Sequence, residues 1–159
     1  MGSIGSTTNV MIGFVIRQVE DGIEITAEPD RGFVRLRGAE RPWNDEMLDV
    51  RCEVGDTGVT AGTTVRTFDG DGLASWVAEL AESYRGWGGV RTWTSLEHGL
   101  RIDAGHDGRG HVSLRFVVRG PRGYEADAWE ASVCVNLDAG EDMRRLAVEI
   151  DSLVNAGRS

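Results

Sequence analysis

The stretch of residues 73–137 constrains the fold most, because an amphipathic helix is followed there by a run of alternating strands. Apolar residues recur at helical spacing over 73–85, and Gly86 is placed to end that helix. Beyond it, apolar and polar residues alternate, which predicts strands that each bury one face. The strands predicted from this alternation are Val90–Glu97, Leu100–Ala104, His111–Arg119 and Trp129–Leu137.

The rest of the chain fits the same fold class. Short β-prone runs are separated by turn sequences, at Val10–Ile16, Ile23–Glu28, Phe33–Arg37, Met47–Val54 and Thr63–Phe68. A last amphipathic helix is predicted over 139–154, capped by Asp138. We therefore expect an α+β domain, with a largely antiparallel meander sheet and two amphipathic helices packed against it. The whole chain, 1–159, is interpreted as one domain, with residues 1–9 as a flexible tail.

The charged residues exclude several function classes. All 17 basic residues are Arg, so a Schiff-base lysine and a P-loop lysine are both excluded. The formal net charge of -9 argues against a nucleic-acid partner, which needs a basic surface. A strongly acidic chain instead favours a basic protein partner.

Two further features bear on location. Neither a signal peptide nor a membrane-spanning stretch is predicted from the sequence, so we expect no membrane partner. Cys52 and Cys134 lie far apart in predicted strands, where unpaired cysteines ordinarily are buried and reduced. We expect a cytoplasmic protein.

Candidate chemistry is sparse. His98, His106 and His111 supply metal-ligand types, but no pair has a spacing that places two ligands on one face. The segment 69–72, Asp-Gly-Asp-Gly, resembles part of a calcium loop, although helix capping explains it better. No nucleophile elbow accompanies any serine. The sequence therefore predicts no metal, no cofactor and no catalytic residue.

Tryptophans present a choice between core and binding surface. Trp76 and Trp129 lie on predicted apolar faces, so we expect both in the core, and replacing Trp129 by alanine should cost about 3–5 kcal/mol. Trp43 follows a proline in a loop, and Trp87 is flanked by glycines. These two either cover the open end of the sheet or anchor a partner.

Acidic residues concentrate in one loop and strand, at Asp45, Glu46, Asp49, Glu53 and Asp56. On a strand, Asp49 and Glu53 share the outward face. This face is either an ordinary solvated surface or a docking surface for a basic protein. The sequence-based candidates for partner binding are therefore these five acids with Trp43 and Trp87.

A resemblance emerges from the order of several motifs: a helix ending in RGW, then V-x-x-W, SLEH, L-x-I-x-A, HDGRGHV, a W-x-A strand and DAGE before the last helix. This pattern, over about residues 70 to 154, resembles an uncharacterised bacterial domain family. More distantly, its helix and strand order is similar to the WapI-family immunity proteins, which protect a cell against the toxic domain of its own secreted toxin. The resemblance implies a role and no catalytic residues.

Three functions remain open at this point. A non-enzymatic protein-binding domain ranks first, most concretely an immunity protein that neutralises a basic toxin domain, since opposite charge speeds association. A small-molecule or carbohydrate binder is the second hypothesis, and an enzyme with a dispersed site is the third. The sequence predicts no oligomeric state.

Overall fold

The computed structural model of the chain describes residues 13–26, 32–156 and 158. Nine strands and two helices lie in these described residues. They are β1 (Val15–Val19), β2 (Gly22–Thr26), β3 (Phe33–Glu40), β4 (Met47–Asp56), β5 (Val59–Phe68), α1 (Leu73–Glu82), β6 (Val90–Thr94), β7 (Leu100–His106), β8 (His111–Arg119), β9 (Glu130–Asp138) and α2 (Glu141–Val154). The predicted tail over 1–9 lies outside the described residues, as do residues 10–12 of the first predicted strand.

The first five strands form an antiparallel sheet in sequence order. Alternation along β3 and β4 directs one row of apolar side chains inward, as the sequence predicted for β4. β4 and β5 pair without interruption from Met47–Phe68 to Asp56–Val59. Only two residues remain in the turn, and Gly58 takes a positive φ of 84° there at no steric cost. This hairpin is tighter than the predicted connection over 55–62.

The remaining four strands form a second antiparallel sheet, again in sequence order. Its inner face carries Leu114 and Phe116 on β8, and Val135 and Leu137 on β9. These alternate with exposed polar residues, because side chains on a strand point to opposite faces in turn. β6 is shorter than predicted and ends at Thr94.

Both predicted helices are present, and both are shorter than predicted. α1 ends at Glu82, three residues before the predicted end, so Gly86 does not terminate it. α2 begins at Glu141 with Gly140 as its N-cap, so the prediction that Asp138 is the cap is wrong. Asp138 lies two residues earlier, and its Oδ1 accepts the backbone N–H of Asp142 at 3.3 Å. Neither helix of the described chain is long and apolar enough to cross a membrane.

One continuous core joins both sheets and both helices. The helices pack on each other, and α2 also contacts β1 to β3 of the first sheet and β9 of the second. The apolar stripe of α2 supplies Met143, Leu146 and Ile150 to this core. The predicted α+β class with antiparallel meander strands is thus confirmed, and the strands divide into two sheets.

The prediction for Trp129 is wrong. This side chain is 44% exposed, because it precedes β9 and lies outside the alternation that continues from Glu130. Its indole ring lies against the backbone of Gly120, where an added Cβ would have no room. Trp76 is partly buried and packs on the core from α1.

The two cysteines differ in environment, and neither is in a disulfide bond. Cys52 is buried, and burial raises the pKa of its thiol to about 12, so the thiolate is absent at neutral pH. Cys134 is only half-buried. The sequence-based expectation of a buried thiol therefore holds for Cys52 alone.

Candidate functional site

Four consecutive residues with left-handed backbone connect β5 to α1. The φ angles are 52° at Asp69, 87° at Gly70, 50° at Asp71 and 77° at Gly72. Glycine adopts this conformation freely, and aspartate tolerates it better than most residues do. The helix-capping interpretation of this segment is wrong, because Gly72 is the N-cap of α1 and no described side chain caps it.

The Asp71 carboxylate instead joins the two sheets. Its Oδ1 accepts the backbone N–H of Phe68 at 3.0 Å, and its Oδ2 accepts the N–H of Leu96 at 2.9 Å. The Asp71 carbonyl accepts the indole N–H of Trp93 at 2.9 Å. One aspartate therefore fixes the end of β5 beside the turn between β6 and β7.

Arg41 holds the neighbouring loop in place. Its side chain is only 5% exposed. The guanidinium donates to two carbonyl oxygens at the end of α2, at 2.8 and 3.3 Å, to the Asp45 carbonyl at 3.1 Å and to Asp69 Oδ1 at 3.1 Å. Arg158 contacts the other oxygen of Asp69. These two arginines, Arg158 first, lower the pKa of the Asp69 carboxyl. Loop 41–46 is thereby tied to α2 and to the β5–α1 turn.

Three large apolar side chains are exposed around this rigid junction. Trp43 is 59% exposed, Phe68 57% and Leu96 67%. Phe68 and Leu96 are neighbours because their amides bind the same carboxylate. Trp43 stacks on the guanidinium of Arg66, 4.5 Å from its ring centre, and Arg66 shares the outer face of β5 with Phe68. We call Trp43, Phe68 and Leu96 the Trp43 patch.

Exposed carboxylates lie around the Trp43 patch. Asp45 and Glu46 precede β4, and Glu97 follows Leu96. None of these three forms an ion pair within the part of the chain that the structure describes. The hydrogen bonds that Arg66 donates to Asp49 raise the pKa of the Arg66 guanidinium most, and the nearby charge of Glu97 raises it further. The rim of the patch is therefore negative.

Asp49 is placed differently from its acidic neighbours. Its side chain is buried, and its two oxygens accept hydrogen bonds from Arg66 Nε and Nη2, each at 2.8 Å. This bidentate pair fixes the Arg66 guanidinium next to the Trp43 ring. Asp49 thus supports the patch without offering a free charge to a partner.

The other two predicted acids lie away from the patch. Glu53 is half-buried on the outer face of β4, where its Oε1 is 2.9 Å from Arg37 Nε. Asp56 is exposed at the far end of β4, and its Oδ1 accepts the N–H of Thr57 at 2.7 Å. The acidic segment 45–56 therefore does not form one continuous acidic surface. Of its five acids, only Asp45 and Glu46 combine exposure with proximity to Trp43.

Another ion-pair cluster lies farther across the same sheet face. Glu24 is buried, with Arg35 Nε 2.6 Å from one oxygen and Arg17 Nη2 2.7 Å from the other. Arg35 first, and then Arg17, holds the pKa of the Glu24 carboxyl below its ordinary value of 4.5. The folded state consequently binds this proton more weakly than the unfolded chain does.

This cluster predicts a pH effect. The Glu24 ion pairs stabilise the fold above the ordinary pKa of 4.5, and this contribution is lost as the pH falls through the lowered folded pKa. Urea unfolding of Glu24→Gln should show a deficit against wild type that is constant near neutral pH and shrinks below pH 4.5. Glu79→Gln, at an exposed position on α1, is the matched control and should show no such change. A deficit that stays constant into acid would contradict this account.

Trp87 is not an exposed anchor. It is partly buried against the core, its indole N–H donates to the Ala104 carbonyl at 3.3 Å, and Arg91 lies 4.7 Å from its ring centre. His106 meets it edge-on at 5.2 Å and bonds to the Tyr84 carbonyl at 2.9 Å. Trp87 therefore covers the end of the second sheet that lies away from the Trp43 patch. This is the covering role that the sequence left open beside partner binding.

The histidines serve turns. His111 Nδ1 is 2.9 Å from Asp107 Oδ2 in the β7–β8 turn. The N–H of Arg109 first, and then His111, hold the pKa of Asp107 at about 2. His98 adopts a φ of 62° in the β6–β7 turn. Within the described residues, no group of three His, Cys, Asp or Glu side chains is arranged to hold a metal ion.

Comparison with known families gives one match. The model of a family of unknown function, DUF6228, matches residues 25–157, which is most of the chain. The chain belongs to the DUF6228 family. This finding supports the predicted membership of an uncharacterised family. None of the curated proteins matches the chain.

Sequence reasoning missed two members of the Trp43 patch. Phe68 falls on the outward face of β5, at the same parity as Thr64 and Arg66, and this alternation alone could have identified it as exposed. Leu96 lies in a turn, where a large apolar residue is unusual without a covering segment. The proximity of the two residues could not be read from the sequence, because it depends on the Asp71 carboxylate.

Proposed function

We propose that this DUF6228 protein is a non-enzymatic protein-binding module that docks its partner through the Trp43 patch. One observation carries the proposal: Trp43, Phe68 and Leu96 are exposed together on a junction fixed by Asp71 and Arg41. Exposed clusters of large apolar side chains with a polar rim are typical of protein interfaces. A rigid support lowers the entropic cost of binding.

Charge favours a basic partner. The chain carries a net charge of -9, and Asp45, Glu46 and Glu97 add exposed carboxylates at the rim of the patch. Complementary rim charges speed association, while buried apolar anchors slow dissociation. Asp49 contributes through Arg66 and not as a docking charge.

The most concrete form of the proposal is an immunity protein, similar in role to the WapI-family immunity proteins, that neutralises a basic toxin domain. A cytoplasmic location belongs to the same proposal, and the two cysteines outside any disulfide support it. An immunity protein needs only tight and fast binding, which agrees with a site built from apolar anchors and charge.

Coexpression tests this role. The probe is any basic C-terminal toxin domain that an adjacent gene encodes, expressed with and without this protein. We expect growth to be restored by the wild-type protein, and association in stopped flow to slow about tenfold between low salt and about 0.5 M salt, since screening removes electrostatic steering. A double substitution, Asp45→Asn with Glu46→Gln, should weaken the salt dependence.

The outcomes separate role from mechanism. Asp56→Asn, an exposed acid far from the patch, is the matched control and should leave the salt dependence unchanged. Failure to bind or protect against the neighbouring toxin would refute the immunity role. Protection with association that is independent of salt would refute only the electrostatic part.

A further inference from the structure

β5 is a long edge strand without the features that usually protect an edge. It is ten residues long and lies at the margin of the five-stranded sheet. Its register with β4 is unbroken over ten pairs, so it contains no bulge. It has no proline, and Arg66 is its one charged residue. Natural edge strands are usually shortened, bulged or charged, because an open edge invites another strand.

The hairpin geometry shows which backbone groups point outward. In a two-residue hairpin the pair that closes the turn, here Asp56–Val59, is hydrogen-bonded, and hydrogen-bonded pairs alternate with non-bonded ones. The N–H and C=O groups of Thr60, Gly62 and Thr64 are therefore directed away from β4. The N–H and C=O groups of Phe68 point outward in the same way, and both bind Asp71. The Phe68 N–H donates to Asp71 Oδ1 at 3.0 Å, and the Asp71 N–H donates to the Phe68 carbonyl at 2.9 Å.

The stretch 60–64 of this edge is open. Within residues 13–26, 32–156 and 158, nothing bonds to its outward backbone groups. Thr60 and Thr64 are exposed. The edge is closed only farther along, at Phe68, where the Asp71 carboxylate occupies the position of an added strand. An extended segment of about five residues can therefore pair with β5 before it meets that turn.

Arg51 supplies a charge at this open edge. A Cβ added at Gly62 would lie 2.8 Å from Arg51 Nη2 and 3.2 Å from its Cζ, so the guanidinium lies directly over the glycine. Arg51 is exposed and forms no ion pair within the described part of the chain. Its direct cross-strand neighbour on β3 is another arginine, Arg37, which is paired with Glu53. Glu53 Cγ lies 3.0 Å from the same position, but the Glu53 carboxylate is paired with Arg37. Among the described residues, Arg51 is therefore the charge beside Gly62 that has no ion-pair partner.

We propose that the edge of β5 over 60–64 binds an extended acidic segment of a partner protein as an added antiparallel strand, with a carboxylate opposite Gly62 paired to Arg51. The incoming residue opposite Gly62 has its side chain on the outer face, where Arg51 lies. A second copy of this chain fits less well, because antiparallel pairing centred on Gly62 would bring the Arg51 guanidiniums of the two copies together, and these like charges repel. This inference is independent of the Trp43 patch.

A peptide probe tests the proposal on the full-length protein. The probe is the capped peptide Thr-Thr-Val-Glu-Val-Thr-Thr, compared with peptides that carry Gln or Arg in place of Glu. We expect amide hydrogen exchange to slow at Thr60, Gly62 and Thr64 when the Glu peptide is added. The Glu peptide should bind about fivefold more tightly than the Gln peptide, the upper range for an opposite-charge cross-strand pair.

Two variants distinguish the contribution of backbone pairing to peptide binding from the contribution of the Arg51 charge. Thr64→Pro removes an outward N–H but no bond to β4, so it should abolish peptide binding while the fold persists. Arg51→Gln should remove the preference for Glu over Gln and leave binding of the Gln peptide unchanged. Arg115→Gln, at an exposed position on the second sheet, is the matched control and should keep the preference.

Several results would overturn the proposal. Unchanged exchange at Thr60, Gly62 and Thr64 at millimolar peptide would exclude the edge. Equal binding of the Glu and Arg peptides would exclude an acidic partner. A dimer in sedimentation that Thr64→Pro converts to monomer would assign the edge to a second copy. Should Thr64→Pro fail to fold, the Arg51→Gln comparison decides the question alone.

Discussion

Replacing Arg41 by alanine should lower the free energy of unfolding by about 3 kcal/mol, measured by urea denaturation. The guanidinium is buried and binds two carbonyls at the end of α2, the Asp45 carbonyl and Asp69. Truncation removes the donor from the part-buried carbonyls of Val154 and Ala156, although Asp69 keeps its contact with Arg158. The α2 terminus also loses a cation at the negative end of its dipole.

A matched pair of substitutions makes this prediction specific. Arg41→Lys keeps the charge but offers fewer donors in a different geometry, so it should recover only part of the loss. Arg144→Ala removes an exposed arginine from α2 and should cost little. Equal effects of Arg41→Ala and Arg144→Ala would contradict the role assigned to Arg41.

Replacing Phe116 by alanine should cost about 4 kcal/mol, whereas Trp129→Ala should cost only about 1 kcal/mol. Phe116 is buried on β8 among the residues that join the two sheets, so truncation leaves a cavity in the shared core. Trp129 is 44% exposed and lies against Gly120. Chemical denaturation of both variants gives the comparison. A loss of 3–5 kcal/mol for Trp129→Ala would restore the sequence-based expectation and contradict the structure.

Local pattern was sufficient for the elements but not for their arrangement. Alternation along β4 and helical spacing along α2 identify both elements, because each depends on side chains a few residues apart. The division of the strands into two sheets depends on long-range packing that no local period encodes. Trp129 shows the same limit: the apolar pattern in the sequence includes it, but β9 begins only at Glu130.

The candidate site was predicted in part. Trp43, Asp45 and Glu46 lie together as the sequence suggested, since they are neighbours along one loop. Asp49 and Glu53 share the outward face as expected, yet both are paired with arginines from adjacent strands, Arg66 and Arg37. Charge density along a strand does not show which cross-strand residues neutralise it. For Trp87 the sequence left covering and anchoring both open, because its flanking glycines indicate a loop but not what the loop covers.

The dissociation constant of the neighbouring toxin domain, measured by calorimetry against variants of the Trp43 patch, tests the central claim most directly. Trp43→Ala and Leu96→Ala should each weaken binding about 30-fold, as buried anchors at the centre of an interface do. Tyr84→Ala is the matched control: this exposed aromatic follows α1, its carbonyl binds His106 at the end of β7, and its loss should leave the constant nearly unchanged. Equal constants for the wild type, both patch variants and the control would contradict the claim that this patch binds the partner.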